Sequence, residues 1–366
     1  NALADITDVP DAPSSPNSAG LADLIGPSRH LVLVAVDGLG MNLVQRVSGG
    51  FISGHVADTL CTVFPSSTPV AFASLATGLW PNRHAVTGWF THYREIDCVG
   101  TTIWFVRRSD KKPLSELGLS LADAFPVPSL RQNSTRDSLS VLSPKEIVDS
   151  VFSNYSSGGG ARTGYEDFPQ AIDLIVERLA DARAPTYTFL YTSVIDGLAH
   201  EYGVDHDKVL EATLAIDRDV ERLAATLPRD AHLILTADHG FLDTGEEYEI
   251  RPSDPLIALL NKEPWGDGRA AQFDINTGRG PEFEEVFSRR FGADFYLISV
   301  ADAERLGLYG PGDLSPLARN RMGSHLAVSK GAATFRYRYE GSEGHRDLAG
   351  HSGLTPDEML VPLMVS

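Results

Sequence analysis

The stretch LVLVAVDGLG, residues 31–40, decides the fold of this chain. Its first six residues form a continuous apolar run rich in valine, which predicts a strand buried on both faces of a parallel sheet. The segment MNLVQRV follows at residues 41–47 and suits a helix. Asp37 lies directly after the apolar run. The stretch therefore predicts a strand-to-helix unit with an acidic side chain at the carboxyl end of the strand.

Two further segments have the same character, TYTFLYTS at residues 186–193 and HLILTA at residues 232–237. Between them, apolar side chains recur at the three- and four-residue spacing of an amphipathic helix: Val209, Thr213, Ile216, Val220, Leu223 and Leu227. EMLVPLMVS at the C-terminus predicts a final strand. This order predicts an α/β fold with a mostly parallel central sheet and helices on both of its faces.

Two stretches depart from the alternation of strands and helices. Residues from about 90 to 165 contain short aromatic strands and many prolines, and residues from about 245 to 335 mix loops with a further strand and helix. We predict that both are insertions near the active site, because function in α/β sheets gathers on loops outside the carboxyl ends of the strands. Residues 1–23, which are polar and rich in proline and serine, predict a flexible segment before a single catalytic domain of residues 24–366.

Composition excludes several classes of protein. The 366 residues are 42% hydrophobic and 22% charged, as in globular proteins that are soluble. With 31 basic and 49 acidic residues the formal charge is −18, so the overall field repels nucleic-acid polymers and anionic membranes. An anionic substrate would need local positive charge, which bound metal ions supply.

Cysteine content and the N-terminal residues bear on the compartment. Two cysteines, Cys61 and Cys98, are too few for a disulfide-built scaffold, although a single disulfide stays open. The sequence has no apolar run of the length that a membrane span needs, and its first residues lack the layout of a secretion signal. We expect a cytoplasmic protein, with a removed signal and an extracytoplasmic location as the alternative.

Acidic and histidine residues follow each of the three predicted strands. Asp37 comes after the first strand, and Asp196 and His200 come after the second. Asp238 and His239 come directly after the third. Because the carboxyl ends of neighbouring parallel strands lie side by side, these side chains should converge at one edge of the sheet.

His351, in GHSGL near the C-terminus, is a sixth candidate. Asp196 and His200 are four residues apart, so on a helix they point from the same face. Carboxylate oxygen and imidazole nitrogen suit zinc, manganese or iron, whereas calcium and magnesium prefer oxygen ligands. Any one of these residues alone fits a helix cap or a core histidine equally well. Together the six predict a metal site.

The segment CTVFPSSTPVAFASLATGLWPNRH, residues 61–84, contains a candidate nucleophile. Thr68 precedes Pro69, and an apolar run follows until Gly78. Proline is favoured at the first helical position, so the pattern predicts Thr68 as the N-cap of a helix. There its hydroxyl would lie beside free backbone amides that bind phosphate oxygens. A simple helix cap is the alternative role for Thr68.

Six motifs resemble, in order and spacing, those of the alkaline phosphatase superfamily, and most closely its nucleotide pyrophosphatase/phosphodiesterase branch: VDGLG, FPSSTP, TGLWPNRH, IDGLAH, TADHG and GHSGLTPDEMLVPL. The resemblance runs from about residue 30 to the C-terminus and leaves both insertions largely unmatched. It implies an alkaline-phosphatase-like fold with two divalent metal ions, zinc above all. It assigns the ligands of one ion as Asp196, His200 and His351, and those of the other as Asp37, Thr68, Asp238 and His239.

The resemblance also implies a small phosphoester substrate, a nucleotide or other diester, and attack by Thr68 with a covalent phospho-threonine intermediate. Two departures leave the preferred substrate open. The branch usually has Phe-Pro-Asn-His after the nucleophile, where this chain has Pro69-Val70-Ala71. It also has a later asparagine that binds a phosphate oxygen, where this chain has Trp89 or a neighbour. We expect a phosphodiesterase or nucleotide pyrophosphatase, with a phosphomonoesterase or a phosphonate hydrolase on the same metal platform as alternatives.

Other interpretations fit less well. The residues around Cys61 lack the spacing and arginine of a sulfatase motif. The glycines after the first strand begin like a dinucleotide-binding motif, but Leu43 occupies the place of the third glycine and Asp37 would face a pyrophosphate. Leu354 occupies the place of the last glycine of a serine-hydrolase elbow. A non-catalytic metal-binding module is the remaining alternative.

A few residues outside the six motifs also carry predictions. Four aromatic residues suit stacking on a nucleobase, although packing is the commoner role of such residues: Trp89, Phe90, Trp104 and Phe105. Asp347 would orient a ligand histidine through its second ring nitrogen. His84 and His345 are expected to be structural or to support a ligand, rather than to bind the metal.

Overall fold

A computed structural model describes residues 16–133, 138–342 and 346–366. Two seven-stranded sheets and two short two-stranded ladders organise this part of the chain. The first sheet contains the strands predicted from the apolar runs and forms the centre of an α/β fold.

The central sheet is mostly parallel, as predicted. Its strands are β1 (His30–Val36), β2 (Val56–Cys61), β6 (Ser138–Pro144), β7 (Ala161–Tyr165), β8 (Thr186–Thr192), β9 (Ala231–Thr236) and β18 (Leu360–Val365). They lie in the order β2-β18-β9-β1-β8-β6-β7. β1 pairs in parallel with both β8 and β9. The C-terminal strand β18 runs antiparallel to β9 and β2.

The two predicted insertions meet in the second sheet. Its strands are β3 (Phe90–Tyr93), β4 (Cys98–Thr101), β5 (Val106–Arg107), β12 (Trp265–Asp267), β13 (Ala270–Phe273), β14 (Phe295–Ser299) and β15 (His325–Ser329). β12 joins the two halves, because it pairs with β13 on one side and with β3 on the other. The ladders pair β10 (Leu242–Asp243) with β17 (Ala349–Gly350) and β11 (Glu247–Ile250) with β16 (Thr334–Tyr337).

Part of the range predicted as the first insertion, about 90 to 165, lies in the central sheet. Within that range, β6 and β7 belong to the central sheet, where β6 pairs in parallel with β8. The sequence of β6, SLSVLSP, alternates serine with apolar residues and lacks the continuous apolar run of the other central strands. Ser140 and Ser143 are nevertheless buried together with Val141 and Leu142. The apolar content of this strand therefore understates its burial, and for that reason the sequence did not indicate it as a central strand.

Helices cover both faces of the central sheet. In chain order the helices are α1 (Pro16–Ile25), α2 (Met41–Arg46), α3 (Phe51–Gly54), α4 (Thr68–Thr77), α5 (Pro81–His84), α6 (Leu121–Ala124), α7 (Val151–Ser156), α8 (Phe168–Ala180), α9 (Val194–Tyr202), α10 (Asp207–Thr226), α11 (Gly280–Phe291), α12 (Val300–Arg305), α13 (Pro316–Asn320) and α14 (Pro356–Met359). Single 3₁₀ turns span Leu114–Leu117, Leu130–Asn133 and Pro255–Leu259. The amphipathic pattern predicted between the second and third strands is α10.

Alternate residues of the fully buried strand β1 face two separate apolar cores. Val32, Val34 and Val36 pack with α2, α8, α9 and α10 on one face. Leu31 and Leu33 pack with α1, α4 and α7 on the other. Burial on both faces explains why the sequence of β1 is a continuous apolar run and not an alternation.

The N-terminal boundary differs from the predicted one. The segment of residues 1–23, predicted to be flexible, overlaps a helix, because α1 begins at Pro16 and packs Ile25 into a core. Residues 1–15 lie outside the described part of the chain. Among the described residues, no helix combines the length and the apolar character that a bilayer crossing requires.

Candidate metal centre

Three neighbouring strands of the central sheet carry the predicted acidic ligands at their carboxyl ends. Asp37 follows β1 directly, and Asp238 lies two residues beyond β9. Asp196 lies in the first turn of α9, which follows β8. Because β1 lies between β8 and β9 with all three strands parallel, the side chains meet at one edge of the sheet.

One compact group consists of Asp37, Asp238 and His239, whose nearest ligand atoms all lie within 4.8 Å of one another. The Nε2 atom of His239 is 3.4 Å from an oxygen of Asp37 and 3.3 Å from an oxygen of Asp238. The hydroxyl oxygen of Thr68 is 3.3 Å from the same Nε2 atom. The candidate nucleophile therefore borders this group.

A second group consists of Asp196, His239 and His351, again with ligand atoms within 4.8 Å of one another. The Nε2 atom of His200 is 3.4 Å from an oxygen of Asp196, and the Nε2 atom of His351 is 4.0 Å from the same oxygen. The rings of His239 and His351 stack with centroids 3.7 Å apart. The resemblance assigns His239 to one ion only, whereas in the structure its ring is a member of both groups.

Backbone carbonyl oxygens fix the three imidazole rings. The Nδ1 atoms of His200, His239 and His351 lie 2.9, 3.2 and 2.8 Å from the carbonyl oxygens of Ala349, Gly240 and Ser66. A carbonyl oxygen only accepts hydrogen bonds, so each Nδ1 carries the proton and each Nε2 lone pair is free for a cation.

The prediction that Asp347 orients a ligand histidine is wrong. The Asp347 carboxylate accepts a hydrogen bond of 2.5 Å from Arg336, and backbone carbonyls supply the contacts to the histidine rings. His84 has the structural role that was expected, because it is buried and its Nε2 lies 2.8 Å from the hydroxyl oxygen of Ser74. His345 lies outside the described residues.

The electrostatics of the cluster suit a cation. Burial first, and then the nearby Asp238 and Asp196 carboxylates, raise the pKa of Asp37 well above its usual value. Burial and Asp196 raise the pKa of Asp238 to about 7. Burial lowers the pKa of His239 to about 3, so its ring is neutral. Burial also lowers the pKa of His351, whereas at His200 the effect of burial is outweighed by Asp196, which raises the pKa. The metal-free protein thus gathers carboxylates that repel one another beside two imidazole rings, His239 and His351, that hold no positive charge.

Two buried carboxylate oxygens in this cluster have no hydrogen-bond partner, one on Asp37 and one on Asp238. An unpartnered buried oxygen costs free energy unless a donor or a cation meets it. These are the oxygens that face Nε2 of His239. Carboxylate and imidazole donors at this spacing match the ligand chemistry of zinc-type ions, so the residues present fit a divalent metal.

Thr68 is the first residue of α4, and Ser67 is the N-cap. The prediction that Thr68 is the N-cap is therefore wrong by one residue. Fewer backbone N–H groups beside Thr68 are available to bind phosphate oxygens than predicted. Val70 and Ala71 both donate their N–H groups to the Ser67 carbonyl, and Pro69 has no N–H group. Thr68 is partly exposed, whereas its neighbours Ser67 and Pro69 are buried.

The aromatic residues proposed for stacking have different surroundings. Phe105 is buried, and the guanidinium of Arg108 lies 3.9 Å from the centroid of the Phe90 ring. Trp89 and Trp104 pack edge to face with centroids 5.7 Å apart, and Trp104 is 55% exposed. Trp104 thus leaves ring surface open to solvent, and stacking on a nucleobase stays a prediction.

The sequence did not single out several residues that hold the cluster. The Tyr191 hydroxyl donates a hydrogen bond of 2.5 Å to the second carboxylate oxygen of Asp37. The Thr62 hydroxyl donates to the Asp238 carbonyl oxygen. The Ser66 carbonyl oxygen accepts from His351. These partners are far apart along the chain, so no local spacing in the sequence indicates them.

The chain matches one known protein family. The model of the family described as type I phosphodiesterase / nucleotide pyrophosphatase matches residues 31–261. No curated protein sequence matches the chain significantly.

Several solved structures share the fold. Murine and human ectonucleotide pyrophosphatase/phosphodiesterase 5 both superpose with a TM-score of 0.67 at 15% identity, over 91% of this chain and 87% of theirs. Phosphonoacetate hydrolase from Sinorhizobium meliloti 1021, in complex with phosphonoacetate, superposes with a TM-score of 0.64 at 16% identity, over 92% of this chain and 90% of that one. At these identities the likeness shows the fold.

Proposed function

The chain belongs to the type I phosphodiesterase / nucleotide pyrophosphatase family, and from this membership we propose that it hydrolyses small phosphodiesters with two divalent metal ions and Thr68 as nucleophile. One observation carries the proposal. The two ligand groups share His239, and the Thr68 hydroxyl borders that shared residue. The ions would be held, one by Asp37, Thr68, Asp238 and His239, and the other by Asp196, His200 and His351.

In the proposed reaction the metal ions and the side chains of the protein have separate roles. Bound divalent ions would lower the pKa of the Thr68 hydroxyl and stabilise charge on the attacking and leaving oxygens. The hydroxyl oxygen of Thr68 attacks phosphorus, the P–O bond to the leaving group breaks, and a phospho-threonine forms. Water then cleaves this phosphoester and restores the hydroxyl. Zinc is our choice of metal, because the ligands combine oxygen with imidazole nitrogen.

A nucleotide is the substrate class that the comparisons favour. A structure of an inactive threonine-to-alanine variant of murine ectonucleotide pyrophosphatase/phosphodiesterase 5 is in complex with AMP, and it superposes on this chain with a TM-score of 0.66 at 16% identity. The phosphonoacetate hydrolase complex supports a second candidate, cleavage of phosphonates on the same metals.

A panel of chromogenic substrates tests the proposed function. Metal-loaded protein should hydrolyse a p-nitrophenyl ester of a nucleoside monophosphate faster than p-nitrophenyl phosphate. A preference for the monoester would instead establish a phosphomonoesterase. Release of phosphate from phosphonoacetate, with no cleavage of either ester, would establish a phosphonate hydrolase. Bound metal without turnover of any of these substrates would indicate a non-catalytic metal-binding module.

Thr68→Ala tests the nucleophile. We expect turnover to fall by at least about 10³-fold while both metals stay bound, because the reacting oxygen is removed and the carboxylate and imidazole ligands are kept. Thr77→Ala is the matched control, since Thr77 lies at the other end of α4 and donates its hydroxyl to the Ala73 carbonyl. Activity of Thr68→Ala close to that of Thr77→Ala would refute the role of Thr68.

A further inference from the structure

Asp267, the last residue of β12, is a buried carboxylate beside the candidate nucleophile, and neither ligand group contains it. One of its oxygens accepts a hydrogen bond of 2.8 Å from the Ser67 hydroxyl. Both of its oxygens lie 3.2 Å from the backbone nitrogen of Trp89. The second sheet therefore reaches the residue that directly precedes Thr68.

The backbone beside this carboxylate is packed closely. A Cβ atom added at Gly88 would lie 2.6 Å from the second oxygen of Asp267. The carboxylate consequently sits between two separate stretches of chain, the turn that starts α4 and the segment that leads into β3. A shift of Asp267 would move both stretches together.

Arg269, two residues further along the same hairpin, holds the other side of the site. Its backbone N–H donates to the Ser352 hydroxyl, and its guanidinium forms a buried ion pair with Glu358 at 2.6 Å. Glu358 in turn accepts a hydrogen bond of 2.7 Å from the Gly353 amide. The tip of the β12–β13 hairpin thus contacts the loop that follows His351.

Ser66 connects these two contacts. Its hydroxyl donates to the Gly353 carbonyl and accepts from the Ser352 amide, while its carbonyl accepts from His351. The turn of residues 66–68 is therefore held at Ser66 by the His351 loop and at Ser67 by Asp267. Thr68 follows Ser67 directly, so its backbone begins at a residue whose side chain is already held by Asp267.

We propose that Asp267 is a positioning residue for Thr68, holding the Ser67 hydroxyl and the Trp89 amide so that the nucleophile keeps the direction needed for in-line attack. The inference rests on the proposed function of Thr68. It assigns to the second sheet a role in catalysis, since this sheet supplies the carboxylate that orients the first turn of α4. Small misplacements of a reacting group lower rates strongly while leaving binding intact.

Asp267→Asn tests the inference with the full-length, metal-loaded protein. We expect kcat per active site, counted by titration of phosphorylated Thr68, to fall by about 10- to 100-fold. KM and the content of bound metal should stay within about twofold, because no metal ligand changes. A kcat per titrated site equal to that of the wild type would overturn the proposal and leave Asp267 a purely structural role.

Asp217→Asn is the matched control. Asp217 is also a buried carboxylate with two donors, the amides of Phe51 and Ile52. A Cβ atom at Gly50 would likewise lie 2.6 Å from one of its oxygens. Its replacement should lower stability to a similar extent without changing kcat per titrated site, because it holds a helix of the opposite layer.

Ser67→Ala provides a test that does not depend on the folding of the Asp267 variant. It removes the donor and leaves the carboxylate with the Trp89 amide, so kcat should fall while KM is kept. Asp267→Asn weakens the contact with Ser67 by replacing a charged acceptor with a neutral one, and Ser67→Ala removes it. The double variant should be no slower than the slower single variant, since both changes act on the same contact. Full additivity of the two effects on kcat would contradict the proposal.

Failure of the proposed function is distinguishable from failure of this inference. Wild-type protein that binds metal but cleaves no phosphoester would refute the proposed function. Hydrogen exchange would then decide the positioning role. The backbone amides of residues 66–68, 70 and 71 and of Trp89 should exchange faster in Asp267→Asn than in Asp217→Asn. Equal exchange in the two variants would overturn the inference without reference to activity.

Discussion

Asp238 and His239 are adjacent in sequence, yet burial shifts their protonation in a complementary way. Burial raises the pKa of Asp238 to about 7, because it disfavours the carboxylate anion. Burial lowers the pKa of His239 to about 3, because it disfavours the imidazolium cation. Near pH 6 the metal-free pair is therefore close to neutral. A metal ion that binds must displace the proton of Asp238 but finds His239 ready as a ligand.

The raised pKa of Asp238 predicts how the stabilisation of the protein by a bound metal depends on pH. In the metal-free protein the raised pKa of Asp238 means that its contribution to stability is present below pH 4 and is lost as the pH rises through about 7. The cation replaces the lost proton, so the gain in Tm on adding zinc should grow from pH 5 to pH 8. Thermal unfolding with and without metal measures this gain, and a larger gain at pH 5 than at pH 8 would contradict the prediction.

At the scale of elements, the loop that follows His351 is held by a hairpin of the second sheet. The Arg269 guanidinium donates to the carboxylate of Glu358 and to the carbonyls of Gly331 and Ala333. Arg269 and Glu358 are 1% and 0% exposed, so the pair is screened from solvent. Glu358 also caps the short helix α14 together with Thr355. One ion pair therefore ties β13 to the segment between His351 and β18.

Arg269→Met should destabilise the fold by about 3–5 kcal/mol, because it leaves the Glu358 charge buried without its partner. Chemical denaturation measures the effect. Arg279→Met is the control, since Arg279 and Glu282 form an exposed pair whose loss should leave the unfolding midpoint unchanged. Equal midpoints for the two variants would show that the buried pair does not hold the loop.

At the scale of the whole molecule, the net charge of the chain and the proposed metal ions act on an anionic substrate in opposite directions. The net charge of −18 repels an anionic substrate, whereas the proposed metal ions attract it at short range. Salt screens interactions between charges further apart than about 10 Å at 0.1 M ionic strength. The distant repulsion should therefore weaken with added salt, while the contact between substrate and metal persists.

Accordingly, kcat/KM for an anionic diester should rise by about twofold or more between 10 mM and 200 mM KCl, because screening favours encounter. The change should appear in KM, and kcat at saturating substrate serves as the internal control. Initial rates across a salt series measure both constants. A fall in kcat/KM over this range would mean that positive charge near the site dominates the approach of the substrate.

The sequence by itself determined four of the central strands and the acidic residues that follow three of them. The apolar runs of β1, β8, β9 and β18 and the periodicity of α10 are local patterns, so each was predicted without knowledge of its neighbours. Asp37, Asp196 and Asp238 follow from the same logic, because parallel strands bring their carboxyl ends together. The order of the motifs in the chain then sufficed to indicate the family.

Only the tertiary structure decided which distant groups touch. The position of His239 between both ligand groups, the contact of Tyr191 with Asp37 and the burial of Asp267 against Ser67 join residues far apart in the chain. The pairing of strands from both predicted insertions in one sheet and the antiparallel direction of β18 also depend on contacts between distant residues. The physical reason is that packing selects such contacts by shape and by the need to satisfy buried polar atoms, and a single sequence carries no periodic signal of either.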